Sequence, residues 1–150
     1  MKRSYLKRVG TSETAQIKRE IQRILRLIVM DRDGGCVLRK LRHCGGELDT
    51  EGVVIQADHL ISRSNNATYA DSRLVVCICK SCHYWKSVAG NLRKAEYDSL
   101  IKTLISKERV ELWEQCEKDF WKPRKMDWKL ELIVLTKEYE NLHQSISKES

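Results

Sequence analysis

Along the chain, Ile17, Ile21, Ile24 and Ile28 recur at steps of four, three and four, with Lys18, Arg19, Arg23 and Arg26 between them. This period predicts an amphipathic basic helix over roughly 13–31, capped by Thr11 or Ser12 and preceded by a flexible polar start. The turn chemistry of "DRDGG" ends it. From Cys36 to Lys86 the pattern changes to short β-branched runs separated by Gly and Asp. "GVVIQADH" (Gly52 to His59) and "SRLVVCIC" (Ser72 to Cys79) are predicted strands, and "SCHYWKSV" starts a helix directly after the second.

Beyond Gly90 the period is helical again. "RKAEYDSLIKTL" and "KERVELWEQCEKDF" predict two helices that break near Ser106, the second ended by the only proline, Pro123. In a last helix Trp128, Leu132, Leu135, Tyr139, Leu142 and Ile146 step by four, three, four, three and four. Such a repeat suits either a coiled-coil seam with a second copy or packing against the chain's own helices. The expected fold class is α+β. A basic arm and helix (1–31) precedes a small strand–strand–helix core (32–92), and a helical region (93–150) follows.

Charge sharpens this division. The net charge is +7, and residues 1–45 hold twelve Lys or Arg against four Asp or Glu, so the whole excess lies in the N-terminal third. A basic arm before a near-neutral body suits a polyanionic partner, although a solubilising role gives the same composition. Apolar runs such as Leu27 to Met30 are too short to span a bilayer, and "MKRSYLKRVG" lacks the apolar core of a signal peptide. A cytoplasmic location and no membrane partner are expected.

Six cysteines in a cytoplasmic chain argue for metal or redox chemistry rather than disulfides. Cys79 and Cys82 form C-x-x-C, which lets one tight turn present two thiolates to one metal ion. Cys36 and Cys44 bracket "VLRKLRH", and Gly45 and Gly46 permit a close backbone turn around a bound sulfur. The four together predict a tetrahedral structural Zn²⁺ site, in which His43 could replace Cys44. A redox C-x-x-C is the rival, but no thioredoxin-like pattern surrounds it. Cys77 and Cys116 read as packed thiols.

The staple leaves "ADH" and "CHYWK" to explain. Asp58 and His59 close the first strand, and His83 follows the last zinc cysteine. If the zinc turn folds the helix against the strand, Asp58 and His83 converge on a second metal, Mg²⁺ or Mn²⁺. His59, alternating to the other side of the strand, is then free to act on a water. A hard cation held by one carboxylate and one imidazole can stabilise a scissile phosphate, and a neutral histidine can deprotonate the attacking water. For any single histidine the plain alternative is packing or capping.

"ADH" followed by "LVVCICKSCHYWKS" resembles the HNH, or ββα-metal, endonuclease family in its zinc-stapled form. More narrowly, Ile17 to Leu142 looks like the phage NinG/Rap recombination nucleases, although only the central fifty residues carry specific motifs. The resemblance implies a metal-dependent DNA endonuclease acting on branched DNA such as Holliday junctions. It carries the general base onto His59, the catalytic metal ligands onto Asp58 and His83, and structural zinc onto Cys36, Cys44, Cys79 and Cys82. One position departs from the family: Leu74 stands where an Asn is usual, and Asn65, Asn66 or Asp71 are the substitutes at hand. Without catalysis, the same features describe a zinc-stapled DNA-binding recombination accessory.

Arg63 and Arg73 flank the loop between the strands, and Lys86 lies three residues after His83 on one helix face. These are the expected phosphate contacts. Arg19, Arg23 and Arg26 would add sequence-independent affinity. Trp85 reads either as a base-stacking side chain or as core. A homodimer through the C-terminal helix would suit two symmetric strands.

Overall fold

The computed structural model describes residues 6–42, 44, 54–88, 90–119 and 125–149, and their side chains except those of 6–12, 90–92 and 146–149. The described chain is α+β and mostly helical. In order it contains α1 (Leu6–Asp33), α2 (Arg39–Arg42), β1 (Ile55–His59), two 3₁₀ turns (Asn66–Thr68 and Ser72–Leu74), β2 (Val75–Cys79), α3 (Lys80–Val88), α4 (Gly90–Leu104), α5 (Lys107–Lys118) and α6 (Trp128–Glu149).

The isoleucine stripe does what its period predicts. Ile21, Ile24 and Ile28 are buried, and Leu25 and Val29 widen the stripe into a face that meets both strands and α6. Full burial of each such side chain stabilises by roughly 1.5–3 kcal/mol. Contrary to the expected flexible start and Thr11 or Ser12 cap, α1 begins at Leu6 and runs through both residues. A capping signal is local and yields where the chain around it favours continued helix, as Leu, Lys, Arg and Ala do here. At its other end Gly34 (φ +69°) and Gly35 (φ +133°) turn the chain in a region that side chains avoid.

β1 and β2 pair antiparallel, with Ile55 opposite Cys79 and His59 opposite Val75. All five residues of β2 are buried. The second strand is shorter than expected because the Asp71 carboxylate accepts from the Arg73 amide and winds Ser72–Leu74 into a 3₁₀ turn. Gly52, Val53, Pro123, His43, Gly45, Gly46 and the Ile146 side chain lie outside the described residues. The short α2, between Cys36 and Cys44, went unforeseen because four residues carry no periodicity.

Two arginines anchor β2. Arg32 donates to the Ser72 and Val75 carbonyls at 2.8 and 2.6 Å, and Arg109 of α5 donates to Arg73 O and Val75 O at 2.7 and 3.0 Å. Burial and the nearby Arg32 guanidinium pull the Arg109 pKa down to about 10, which still leaves it charged. Asp33 offsets the pair: it accepts from Arg32 at 2.8 Å and from the Cys77 amide at 2.9 Å. Ser106 caps α5 at the predicted break, accepting from the Arg109 amide.

The repeat in α6 packs within the chain. Leu135 is buried, and Trp128, Leu132, Tyr139 and Leu142 lie half-buried against the same core. That core draws residues from α1, both strands, α4, α5 and α6. No described helix is long and apolar enough to cross a membrane. Replacing buried Leu135 by Ala should cost about 2–5 kcal/mol in denaturant unfolding, whereas Val134→Ala on the 57% exposed face should change it by no more than ~0.5 kcal/mol.

Candidate functional site

Three elements bring the cysteines together. Cys36 follows the glycine turn after α1, Cys44 follows α2, and Cys79 and Cys82 straddle the β2–α3 junction. Their sulfurs all lie within 4.8 Å of one another. Tetrahedral zinc with Zn–S bonds of about 2.3 Å sets its sulfurs roughly 3.8 Å apart, so the donor set fits that ion in both chemistry and spacing. Local contacts hold the arrangement. The Cys82 amide donates to Cys79 Sγ at 3.4 Å, and Arg42 Nη1 donates to Cys82 Sγ at 3.3 Å.

The thiols hydrogen-bond to one another. A hydrogen bond from Cys82 chiefly pulls the Cys36 pKa down to about 5, and the same bond drives that of Cys82 upward. Protons shared among crowded sulfurs stand where a cation would replace them. Cys77 differs: it is fully buried, and desolvation pushes its pKa up to about 12, as suits a packed thiol. Cys116, half-buried on α5, is also outside the cluster.

Beside this cluster lies a cleft of about 320 Å³, lined by Gln56, Ala57, Asp58, His59, Ser62, Arg63 and His83. Sheet end and helix start meet here, bringing His83 Nε2 to 3.8 Å from Asp58 Oδ1. That spacing allows one cation to touch both groups, and a carboxylate with an imidazole is a donor set for a small divalent ion. Asp58 is 7% exposed and already engaged. Lys86 Nζ lies 3.0 and 2.8 Å from its two oxygens, and the buried Tyr97 hydroxyl donates to Oδ2 at 2.5 Å. Burial and the adjacent Asp58 push the Tyr97 pKa well up, so the phenol keeps its proton.

His59 Nε2 lies 2.8 Å from the Tyr69 carbonyl. A carbonyl only accepts, so the neutral ring carries its proton on Nε2 and leaves the Nδ1 lone pair as the base. Desolvation is the main cause that lowers the His59 pKa below 6.5, with Arg63 and Lys86 adding to it against Asp58 and the Tyr69 bond. The ring is therefore neutral at pH 7. Tyr69 is itself wedged, with ring centroids 5.5 Å from His59 and 5.4 Å from Trp128 of α6.

At the position where the resembled family has Asn, Leu74 is buried and its carbonyl accepts from the Leu60 amide at 2.9 Å. Two of the substitutes named from sequence brace the loop. Asn65 caps the first 3₁₀ turn, which ends at Tyr69, and Asp71 caps the second. Asn66 is the first residue of the first turn.

The expected cationic residues divide. Arg63 lines the cleft. Gln22 of α1 reaches within 3.4 Å of His59 Nε2, and helical spacing puts Arg19 and Arg26 on the same face as Gln22. Arg26 also ties α1 to β1 through the Ile55 carbonyl at 3.1 Å, while Arg23 pairs with Glu20 at 2.6 Å. Arg73 is not brought to the cleft: it holds Asp71 at 2.8 Å and borders a separate depression with Met126 and Val134. Lys86 points to Asp58, and the Arg42 and Arg93 guanidiniums lie over the Trp85 ring, 4.1 and 4.7 Å from its centroid.

Sequence reasoning missed Tyr97 and Gln22. Tyr97 does carry a signal: it shares an apolar stripe with Ile101 and Leu104, and a hydroxyl in such a stripe needs a buried partner. Comparison with protein-family models, curated proteins and solved structures found no match.

Metal analysis should find one zinc per chain, lost on Cys79→Ser together with cooperative thermal unfolding, and retained in Cys77→Ser and Cys116→Ser. The lowered His59 pKa has a definite sign. Stability that is full above pH 6.5 falls as the pH drops through the folded value, because the unfolded chain takes up the proton first. His59→Gln should flatten that part of the stability–pH curve, followed by denaturant titration.

Proposed function

We propose that this chain is a metal-dependent endonuclease that hydrolyses DNA phosphodiester bonds, built on a zinc-stapled ββα-metal core. The observation that carries this reading is the single cleft that collects Asp58, His59, His83 and Arg63 beside a four-cysteine cluster. Asp58 and His83 would hold Mg²⁺ or Mn²⁺, which when bound polarises the scissile phosphate and eases departure of the 3′ oxygen. His59, neutral and fixed by Tyr69, takes a proton from the attacking water at Nδ1. Arg63 engages the phosphate from the cleft wall, and Arg19 and Arg26 extend the positive path along α1.

Branched DNA as the substrate rests on the resemblance to phage NinG/Rap nucleases. Because the Trp128–Leu142 stripe of α6 is used within the chain, pairing of two copies would draw on its other face, where Leu130, Ile133 and Val134 are exposed.

One observation favours a second reading, a zinc-stapled DNA-binding protein without cleavage: Lys86 and Tyr97 already satisfy Asp58. The two separate in one assay. Zinc-loaded protein is incubated with linear, single-stranded and four-way-junction DNA, with EDTA or with added Mg²⁺ or Mn²⁺. The nuclease reading predicts cation-dependent cutting that His59→Ala slows by roughly 10²–10⁴-fold. Binding that leaves every substrate intact would establish the second reading instead. Either DNA reading predicts affinity that falls steeply with salt, about 0.9 in log–log slope for each duplex phosphate neutralised.

A further inference from the structure

Lys86 already neutralises the carboxylate that the proposed cation centre would use. Its ammonium spans both Asp58 oxygens at 3.0 and 2.8 Å, and the two side chains are only 18% and 7% exposed. A buried carboxylate without a compensating cation is strongly disfavoured, and here Lys86 is that cation. The Tyr97 hydroxyl takes Oδ2, which leaves Oδ1 as the oxygen nearest His83, 3.8 Å away. A divalent ion held by Asp58 and His83 would therefore sit beside the ammonium, and the like charges would repel. The Lys86 head also lies over the Tyr97 ring, 4.8 Å from its centroid. Its flexible four-carbon stem can swing the charge without moving α3.

We propose that Lys86 is an exchangeable counter-cation: it neutralises Asp58 until a divalent cation and a phosphodiester arrive together, and then transfers its ammonium from the carboxylate to the phosphate. No covalent bond changes; one ion pair replaces another. This inference rests on the metal-dependent reading and adds a coupling to it. Because binding linkage is reciprocal, DNA tightens the site for the divalent ion by the same factor that the ion tightens it for DNA. Asp58 and Lys86 cancel by themselves; a divalent ion alone would leave the pair with two uncompensated positive charges, and the phosphodiester removes one of them.

The test measures Mn²⁺ binding to zinc-loaded protein by the EPR signal of free Mn²⁺, with and without a synthetic four-way DNA junction. His59→Ala is the parent, so that the DNA stays intact. The junction should tighten Mn²⁺ binding by about fivefold or more, the lower end of ordinary coupling. Adding Lys86→Met should tighten Mn²⁺ binding without DNA and so shrink the factor by which the junction tightens it, leaving only the part due to direct contact between cation and phosphate. Lys86→Arg keeps the charge and should keep the DNA dependence, so the result does not hang on the folding of the Met variant. Equal Mn²⁺ affinity with and without the junction, unchanged by either substitution, overturns the exchange and leaves the nuclease reading standing. Absence of Mn²⁺ binding in every protein, the Met variant included, overturns both.

Discussion

Four sulfur atoms within 4.8 Å of one another set the position of nearly everything around the cleft. Thiolates at that spacing repel and thiols there share protons, so a cation at the centre would stabilise the cluster. Its members come from the turn after α1, the end of α2 and the β2–α3 junction. A metal ion held there would tie the start of α3 to the turn after α1 and to the end of α2. His83 and Lys86 sit on that helix, where they approach Asp58 at the end of β1.

The second constraint is electrostatic. Asp58 is buried beside an ammonium, a phenol and an imidazole, all held by separate elements: Lys86 and His83 on α3 and Tyr97 on α4. His59, one residue on, is kept neutral chiefly by burial and held by the Tyr69 carbonyl, itself backed by Trp128 from α6. The late helices thus do more than enlarge the core: α4 supplies a hydrogen bond to the Asp58 carboxylate, and α6 packs Trp128 on Tyr69 behind the His59 ring.

Much of this was legible in the sequence where the signal is local or periodic. The isoleucine stripe, the break at Ser106, the heptad-like run in α6 and the C-x-x-C each announce an element or a ligand pair by spacing alone. The convergence of Asp58 with His83 was inferable because strand, zinc turn and helix follow one another directly. What stayed hidden depended on pairings distant in sequence. Tyr97 meets Asp58 across 39 residues and Gln22 meets His59 across 37, and no local pattern encodes either. Lys86 was read as a phosphate contact from its place on the helix face, but the burial of Asp58 gave it a nearer partner. Arg73 was placed near the cleft from its position in the loop, yet the Asp71-capped turn points it elsewhere.

In the proposed nuclease, a metal-loaded cysteine cluster aims His83 at Asp58 to form a second centre for a hard cation. Pulsed EPR of Mn²⁺ added to zinc-loaded protein tests it most directly, because a coordinated imidazole modulates the electron spin echo through its ¹⁴N nucleus. The modulation should be present in the zinc-loaded protein and lost both in His83→Ala and after the zinc is stripped. Bound Mn²⁺ without nitrogen modulation, or modulation that survives His83→Ala, would contradict it.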